Sequence, residues 1–167
     1  MANQGSAEAE SFEKRLAPFL EYAYRFAFGV LQKREEAEDA VQIAALKAWR
    51  SYASFDPDRD FRPWFVSIVY NECRSLRRSR WWSTLIVPHF GRQHDATSDH
   101  LEIGLDVRRA LGRLRTVDRS AVVLRYYFDL PFHEVAKVLG TSEPAVRART
   151  YRALKALRVQ LDIREEA

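Results

Sequence analysis

The sequence predicts an all-α chain of two small helical domains joined by a flexible linker, the second domain carrying a helix-turn-helix. Three observations predict it. Apolar residues recur at steps of three and four along the first half of the chain and again along its last third. Between these blocks, residues 83–98 lose that period and carry Pro88, Gly91 and several small polar residues, the composition of a linker. Residues 131–158, PFHEVAKVLGTSEPAVRARTYRALKALR, read as two helices about a tight turn.

In chain order, residues 1–9 are small and polar without periodicity, so a frayed end is expected. Phe12, Leu16, Phe19, Leu20, Ala23, Phe26, Ala27, Val30 and Leu31 then mark one or two amphipathic helices. In REEAEDAVQIAALKAWRSY, Ala37, Ala40, Val41, Ala44, Ala45, Ala48 and Trp49 form a broad apolar side, with Glu38, Asp39, Gln42, Ile43, Leu46 and Lys47 around the others. Acids crowd the start of this helix and bases its end, as the helix dipole favours.

SFDPDRDFRP, residues 54–63, sets two prolines among charges and predicts a loop. Its Phe55 and Phe61 either tuck under the loop or stack on something outside it. A further helix starts at about Pro63, with Trp64, Phe65, Ile68, Val69 and Cys73 or Leu76 inward and Arg74, Arg77, Arg78 and Arg80 towards its end. Capping accounts for one or two terminal arginines. Four of them beside Asn71, Trp81 and Trp82 suit single-stranded or opening DNA, where phosphates need charge and unstacked bases need aromatic faces.

After the linker, helical spacing returns in Leu105, Val107, Ala110, Leu111 and Leu114. Thr116 is the expected N-cap of the next helix, whose Ala121, Val122, Leu124 and Tyr126 or Tyr127 face inward and which leads through Asp129 into the paired helices. The second unit is thus about four helices. Val135, Ala136 and Leu139 give the penultimate helix its apolar face, and Gly140 supplies the left-handed residue that ends it. Ser142 caps the last helix, Glu143 suits its positive end, and Pro144 sits where a missing N–H costs nothing. Val146, Thr150, Ala153, Leu154 and Leu157 point inward, while Arg147, Arg149, Tyr151, Arg152, Lys155 and Arg158 take the rest of the circumference with no acid among them. Residues 160–167 end in acids and predict no fold.

Such a second helix lies in the DNA major groove, where an arginine fork pairs with guanine edges or phosphates and Tyr151 meets a thymine methyl. A solvated basic face on an ordinary helical hairpin is the plainer alternative. The whole chain leans towards a phosphate-rich partner: net charge is +4, the pI is about 9.4, and 22 arginines stand against 5 lysines. Cys73 alone forms neither an internal disulfide nor a zinc site, which points to the reducing cytoplasm. His89, His94 and His100 lack ligand spacing, so neither metal nor cofactor is expected. Residues 81–91, the longest uncharged run, are too few to cross a bilayer, and an integral membrane protein is not expected. His133-Glu134 resembles half of a zinc-protease motif, but position 137 is lysine, so neither an enzyme nor a small-molecule substrate is predicted.

Three blocks resemble one family, the extracytoplasmic-function (ECF) sigma factors of bacterial RNA polymerase, which keep sigma regions 2 and 4. AEDAVQIAALKAW, residues 37–49, resembles the core-binding helix of region 2. FDPDRDFRPWFVSIVYNECRSLRRSR, residues 55–80, is similar to the segment that captures and melts the −10 element, and LRYYFDLPFHEVAKVLGTSEPAVRARTYRALKALR, from Leu124, to the −35-reading region 4. The resemblance implies a region 2-like domain over 10–82, a linker over 83–103 that threads towards the polymerase cleft, and a region 4-like domain over 104–161.

It also implies roles. Asp39, Gln42, Ile43, Leu46 and Trp49 would face core polymerase. Phe55, Asp56, Asp58, Arg59, Phe61, Arg62 and Trp64 would hold a flipped −10 base, with Asn71, Arg74, Arg77 and Arg78 along the adjacent strand. Arg125, Ser142, Arg147, Ala148, Arg149, Tyr151, Arg152 and Lys155 would serve the −35 element. Ser75 stands where many members have an acid, and Pro144 replaces the usual small residue. The implied partners are core RNA polymerase, promoter DNA and an inhibitory anti-sigma factor. The competing reading is a ligand-responsive helix-turn-helix transcriptional regulator, which would dimerise on a palindrome without polymerase.

Overall fold

The computed structural model describes residues 2–86 and 104–165, with side chains for 7–79 and 104–161. Three helices precede the undescribed segment: α1 (Ala2–Leu31), α2 (Arg34–Ser51) and α3 (Phe61–Ile86). Four follow it: α4 (Leu105–Arg113), α5 (Thr116–Val122), α6 (Phe132–Leu139) and α7 (Glu143–Glu165), with a π-helical segment at Val123–Tyr127. Among the described residues none of these helices is long and apolar enough to cross a membrane.

Small residues set the packing of the first module. Ala37, Ala40, Ala44 and Ala48 repeat along one face of α2 and are fully buried, so its backbone can approach α1 and α3 closely. Gln32, left-handed at φ 59°, makes the sharp turn between α1 and α2, its N–H donating to the Phe28 carbonyl at 2.7 Å. Lys47 of α2 pairs with the buried Glu72 of α3 at 2.6 Å. At one end Phe12, Trp49, Tyr52, Phe55, Phe61 and Trp64 form an aromatic cluster, with ring centroids 4.6–6.5 Å apart in its contacts.

In the second module, Gly140 closes α6 at φ 62°, and the Thr141 N–H reaches back to the Ala136 carbonyl at 3.0 Å. Ser142 then starts α7, its carbonyl accepting from Val146 and its hydroxyl from the Ala145 N–H. Val146, Thr150, Ala153 and Leu157 are buried as predicted, Thr150 spending its hydroxyl on the Val146 and Arg147 carbonyls.

The all-α architecture and the four helices of the second unit agree with the sequence reading. Its ends do not. Residues 2–9 are helical rather than frayed, and α7 runs through Glu165 where no fold was expected; both stretches are rich in helix formers and lack proline. α3 begins at Phe61, because the Asp60 carboxylate caps it by accepting the Arg62 N–H at 3.0 Å, and it continues through residues 83–86, read above as linker. Residues 87–103, with His89, His94 and His100, lie outside the described residues, as do the side chains of Arg80, Trp81 and Trp82. Leu105, Val107 and Leu154, predicted inward, are exposed, with small Ala110 and Ala153 buried between α4 and α7, while of the alternatives Tyr126 and Tyr127 it is Tyr127 that packs on the core.

The sequence also gave no sign that the two modules share a core. α6 packs on α3, while α5 and the π-helical segment pack on α1. One apolar cluster therefore runs from Phe26, Phe65, Val66 and Val69 into Leu124, Val135 and Val146. A smaller one, with Leu111, Leu114 and Leu157, lies between α4, α5 and α7.

Candidate nucleic-acid interface

α7 presents a continuous outer stripe. Ala148, Tyr151, Arg152 and Lys155 fall at helical steps of three and four, all exposed, Tyr151 by 71%. Arg147 is exposed as well, but Glu143 one turn earlier holds it at 2.6 Å and its guanidinium lies 4.3 Å from the centre of the Phe132 ring. The basic face is therefore not free of acids. Arg149 departs further: half-buried, it pairs with Asp118 of α5 at 3.5 Å, so it braces α7 against its own module. Ser142 is exposed at the helix start. Arg125 is tied to its own turn, donating to Asp129 at 2.9 Å and lying 5.1 Å from the Phe132 ring centre.

α3 carries a second stripe. Asn71, Arg74, Ser75 and Arg78 are exposed along one line of the helix. Arg77 is half-buried beside Arg119 and lies off that line. The opposite face holds Phe65, Val69 and Cys73, all fully buried. Burial pushes the Cys73 thiol up to about 12, which removes thiolate chemistry at neutral pH.

The loop before α3 is built by its own acids. Asp56 accepts the Asp58 N–H at 3.0 Å and lies 3.7 Å from Arg59, and Asp60 caps the helix. Asp56, Asp58 and Arg59 are exposed. Phe55 and Trp64 are half-buried against each other at 4.6 Å, with the Arg15 guanidinium 6.0 Å from the Phe55 ring centre. Phe61, grouped with the base-holding residues, is only 6% exposed: it plugs the aromatic cluster and presents no face to a base. Arg62 is likewise engaged, pairing with Glu134 of α6 at 2.8 Å.

α2 offers the third surface. Asp39, Gln42, Ile43 and Leu46 are exposed along one line, Leu46 by 59%, and Trp49 follows with part of its ring in the open and part against Phe12 and Tyr52. The apolar Ile43, Leu46 and Trp49 thus stay in water on a helix whose other side is fully packed.

Sequence reasoning missed Arg119 and Glu134. The signal for Arg119 was a lone arginine in the apolar run RSAVVL, where charge is tolerated only if every N–H finds an acceptor. Glu134 carried no signal, because its partner lies 72 residues away.

Residues 14–83 match Sigma-70 region 2 and residues 104–157 match Sigma-70, region 4. The chain is 32% identical over 141 residues to RNA polymerase sigma factor NccH of Alcaligenes xylosoxydans xylosoxydans, covering 76% of this chain and 73% of NccH. It is 29% identical over 166 residues to ECF RNA polymerase sigma factor SigL of Mycobacterium tuberculosis, covering 94% and 93%. The solved structure of sigma factor RpoE in complex with the anti-sigma factor NepR from Bartonella quintana superposes with a TM-score of 0.79 at 25% identity, over 92% of this chain and 98% of that one. Two matched regions in order, together with relatives that align across both, place the chain in the sigma-70 family of RNA polymerase sigma factors, in its extracytoplasmic-function group.

Proposed function

We infer that this chain is an alternative sigma factor: a dissociable subunit that joins core RNA polymerase, recognises the −10 and −35 promoter elements and promotes DNA opening without catalysing a reaction. The observation that carries the reading is the presence of both sigma regions, in order, in one chain. The competing ligand-responsive regulator would need only the second of them.

Residue roles follow from exposure and chemistry. Asp39, Gln42, Ile43, Leu46 and Trp49 form the core-polymerase surface, combining apolar contact with a carboxylate and an amide. Asn71, Arg74 and Arg78 track the opened −10 strand by charge and hydrogen bonding, with Asp56, Asp58 and Arg59 at the loop and Phe55 and Trp64 as the aromatic platform. Ala148, Tyr151, Arg152 and Lys155 read the −35 element, and Arg147 contacts its backbone when it releases Glu143. Arg125, Arg149 and Phe61 act through the fold.

Because RpoE is bound by the anti-sigma factor NepR, an inhibitor of that kind is the expected regulator here. A cytoplasmic location follows from a polymerase partner. The test is in vitro transcription with purified bacterial core enzyme and a random-promoter library. Enrichment of templates sharing two spaced elements supports the reading. Absence of chain-dependent transcripts, or enrichment of one palindrome bound without polymerase, overturns it.

A further inference from the structure

We propose that Arg15 of α1 belongs to the −10 site, where its guanidinium neutralises a backbone phosphate beside the flipped base. The inference rests on the promoter reading above and adds a contact from a helix outside the segments assigned to that element. Arg15 is half-buried, with its guanidinium 6.0 Å from the centre of the Phe55 ring. Among the described residues it forms no ion pair and donates no hydrogen bond, so the whole fork lacks an acceptor. One turn earlier, the Ser11 hydroxyl meets the Tyr52 hydroxyl at 3.1 Å, and Phe12 enters the aromatic cluster between them. This stretch of α1 therefore forms a rim of the aromatic platform. At 6.0 Å the ring contact is at the edge of the range in which a cation gains from an aromatic face, so it holds the guanidinium weakly.

The charges of the loop itself make such a cation necessary. Asp56, Asp58 and Asp60 outnumber its bases, and neither base is free: Arg59 lies 3.7 Å from Asp56, and Arg62 pairs with Glu134 of α6 at 2.8 Å. A strand entering here brings phosphates to a surface that repels them. The exposed Arg74 is too remote to compensate. It lies ten residues beyond Trp64, about 15 Å along α3, outside the roughly 10 Å over which a charge acts at about 0.1 M salt.

A base that leaves its stack carries its sugar and flanking phosphates to the rim of the pocket that receives it. With the base against Phe55 and Trp64, which are half-buried and 4.6 Å apart, the rim on the α1 side is where Arg15 stands. Arginine suits both states of such a site. Its planar fork rests against an aromatic face while the strand is absent and grips two phosphate oxygens when the strand arrives. Because the contact is to the backbone, it adds affinity for the opened strand without choosing its sequence.

The test is a fluorescence-anisotropy titration of the full-length chain with a labelled, random-sequence DNA single strand of about 12 nucleotides, repeated between about 25 and 200 mM salt. Arg15→Gln keeps much of the stem and removes the charge. It should weaken binding about fivefold at about 0.1 M salt and reduce the steepness of log affinity against log salt by about 0.7, the share of one phosphate on a single strand. Its thermal midpoint should stay within about 2 °C of wild type. Arg15→Lys should keep the wild-type salt dependence, and Arg25→Gln, a charge removed about 15 Å further along α1, should change neither affinity nor salt dependence. Weaker binding by Arg15→Gln with an unchanged salt dependence overturns the inference, because it marks a packing role. An Arg15→Gln chain that binds as wild type while Arg74→Gln loses salt dependence overturns the inference and leaves the promoter reading standing. No binding of the single strand, or no change in either variant, overturns both.

Discussion

Arg119 of α5 donates to the Val30 carbonyl at the end of α1, while its Nε and Nη2 donate to Leu111, Gly112 and Leu114 at the end of α4 at 2.6–3.1 Å. One guanidinium thus serves carbonyls at two helix C-termini from different modules, where the helix dipoles favour a cation; of these, the Leu111 carbonyl also accepts the Leu114 N–H at 3.1 Å. Burial, and secondarily the nearby Arg77, pull its pKa down to about 9, which still leaves it charged at neutral pH.

Replacing Arg119 therefore strands several buried acceptors at once. Arg119→Met should lower stability in urea denaturation by about 3–5 kcal/mol, more than loss of one hydrogen bond accounts for. Arg119→Lys should recover only part of this, because an ammonium cannot reproduce the planar fork. Equal stability of Lys and Arg at this position would show that charge alone suffices.

Tyr22 gives a pH signature. Its hydroxyl is buried with no hydrogen-bond partner among the described residues, and burial pushes its pKa up to about 12, despite the lowering effect of Arg62. Below pH 10 the phenol is neutral in both folded and unfolded chains. Between about pH 10 and 12 only the unfolded chain releases the proton, so folding stability falls across that window. Tyr22→Phe should keep the ring against Phe128, leave stability at pH 7 unchanged or slightly raised, and flatten the alkaline decline in thermal melts.

The two arginines at 149 and 152 should separate fold from recognition. Arg152→Ala should weaken −35 binding by about 1–3 kcal/mol in a footprinting titration while polymerase association is kept. Arg149→Ala removes a pair with Asp118 that is partly exposed, so it should cost less than about 1 kcal/mol of stability and leave −35 affinity within about 0.5 kcal/mol. A larger loss of affinity from Arg149→Ala would return that residue to the DNA face.

What the sequence disclosed follows from the range of the interactions involved. Gly140, Ser142 and the buried stripe Val146, Thr150, Ala153 and Leu157 act within one or two helical turns, and all were legible as local pattern. The arginines of α3 were legible only as a group, because composition cannot say that Arg77 turns in beside Arg119 while Asn71, Arg74 and Arg78 stay exposed. The loop aromatics were ambiguous because composition cannot say whether Phe61 points in or out, and packing against Phe12 and Phe65 decides it. The seam was invisible. Arg62 finds Glu134 and Gln32 finds the Arg108 carbonyl across 72 and 76 residues, and neither pairing leaves a trace in local periodicity.

The α2 surface yields the sharpest contrast between binding and stability. Leu46 is more exposed than buried, so Leu46→Glu removes little buried area and should shift the thermal midpoint by under about 2 °C, while a charge at the centre of an apolar contact should abolish co-purification with core polymerase. Trp49 serves two masters: its ring packs at 5.3 Å on Phe12 and 6.5 Å on Tyr52, with its remaining face exposed. Trp49→Ala should therefore lose both polymerase association and about 1–3 kcal/mol of stability. Asp39→Ala, on an exposed carboxylate, should weaken association with stability intact. If Leu46→Glu and Asp39→Ala both co-purify with core enzyme at the wild-type level, the exposed line of α2 is not the polymerase surface.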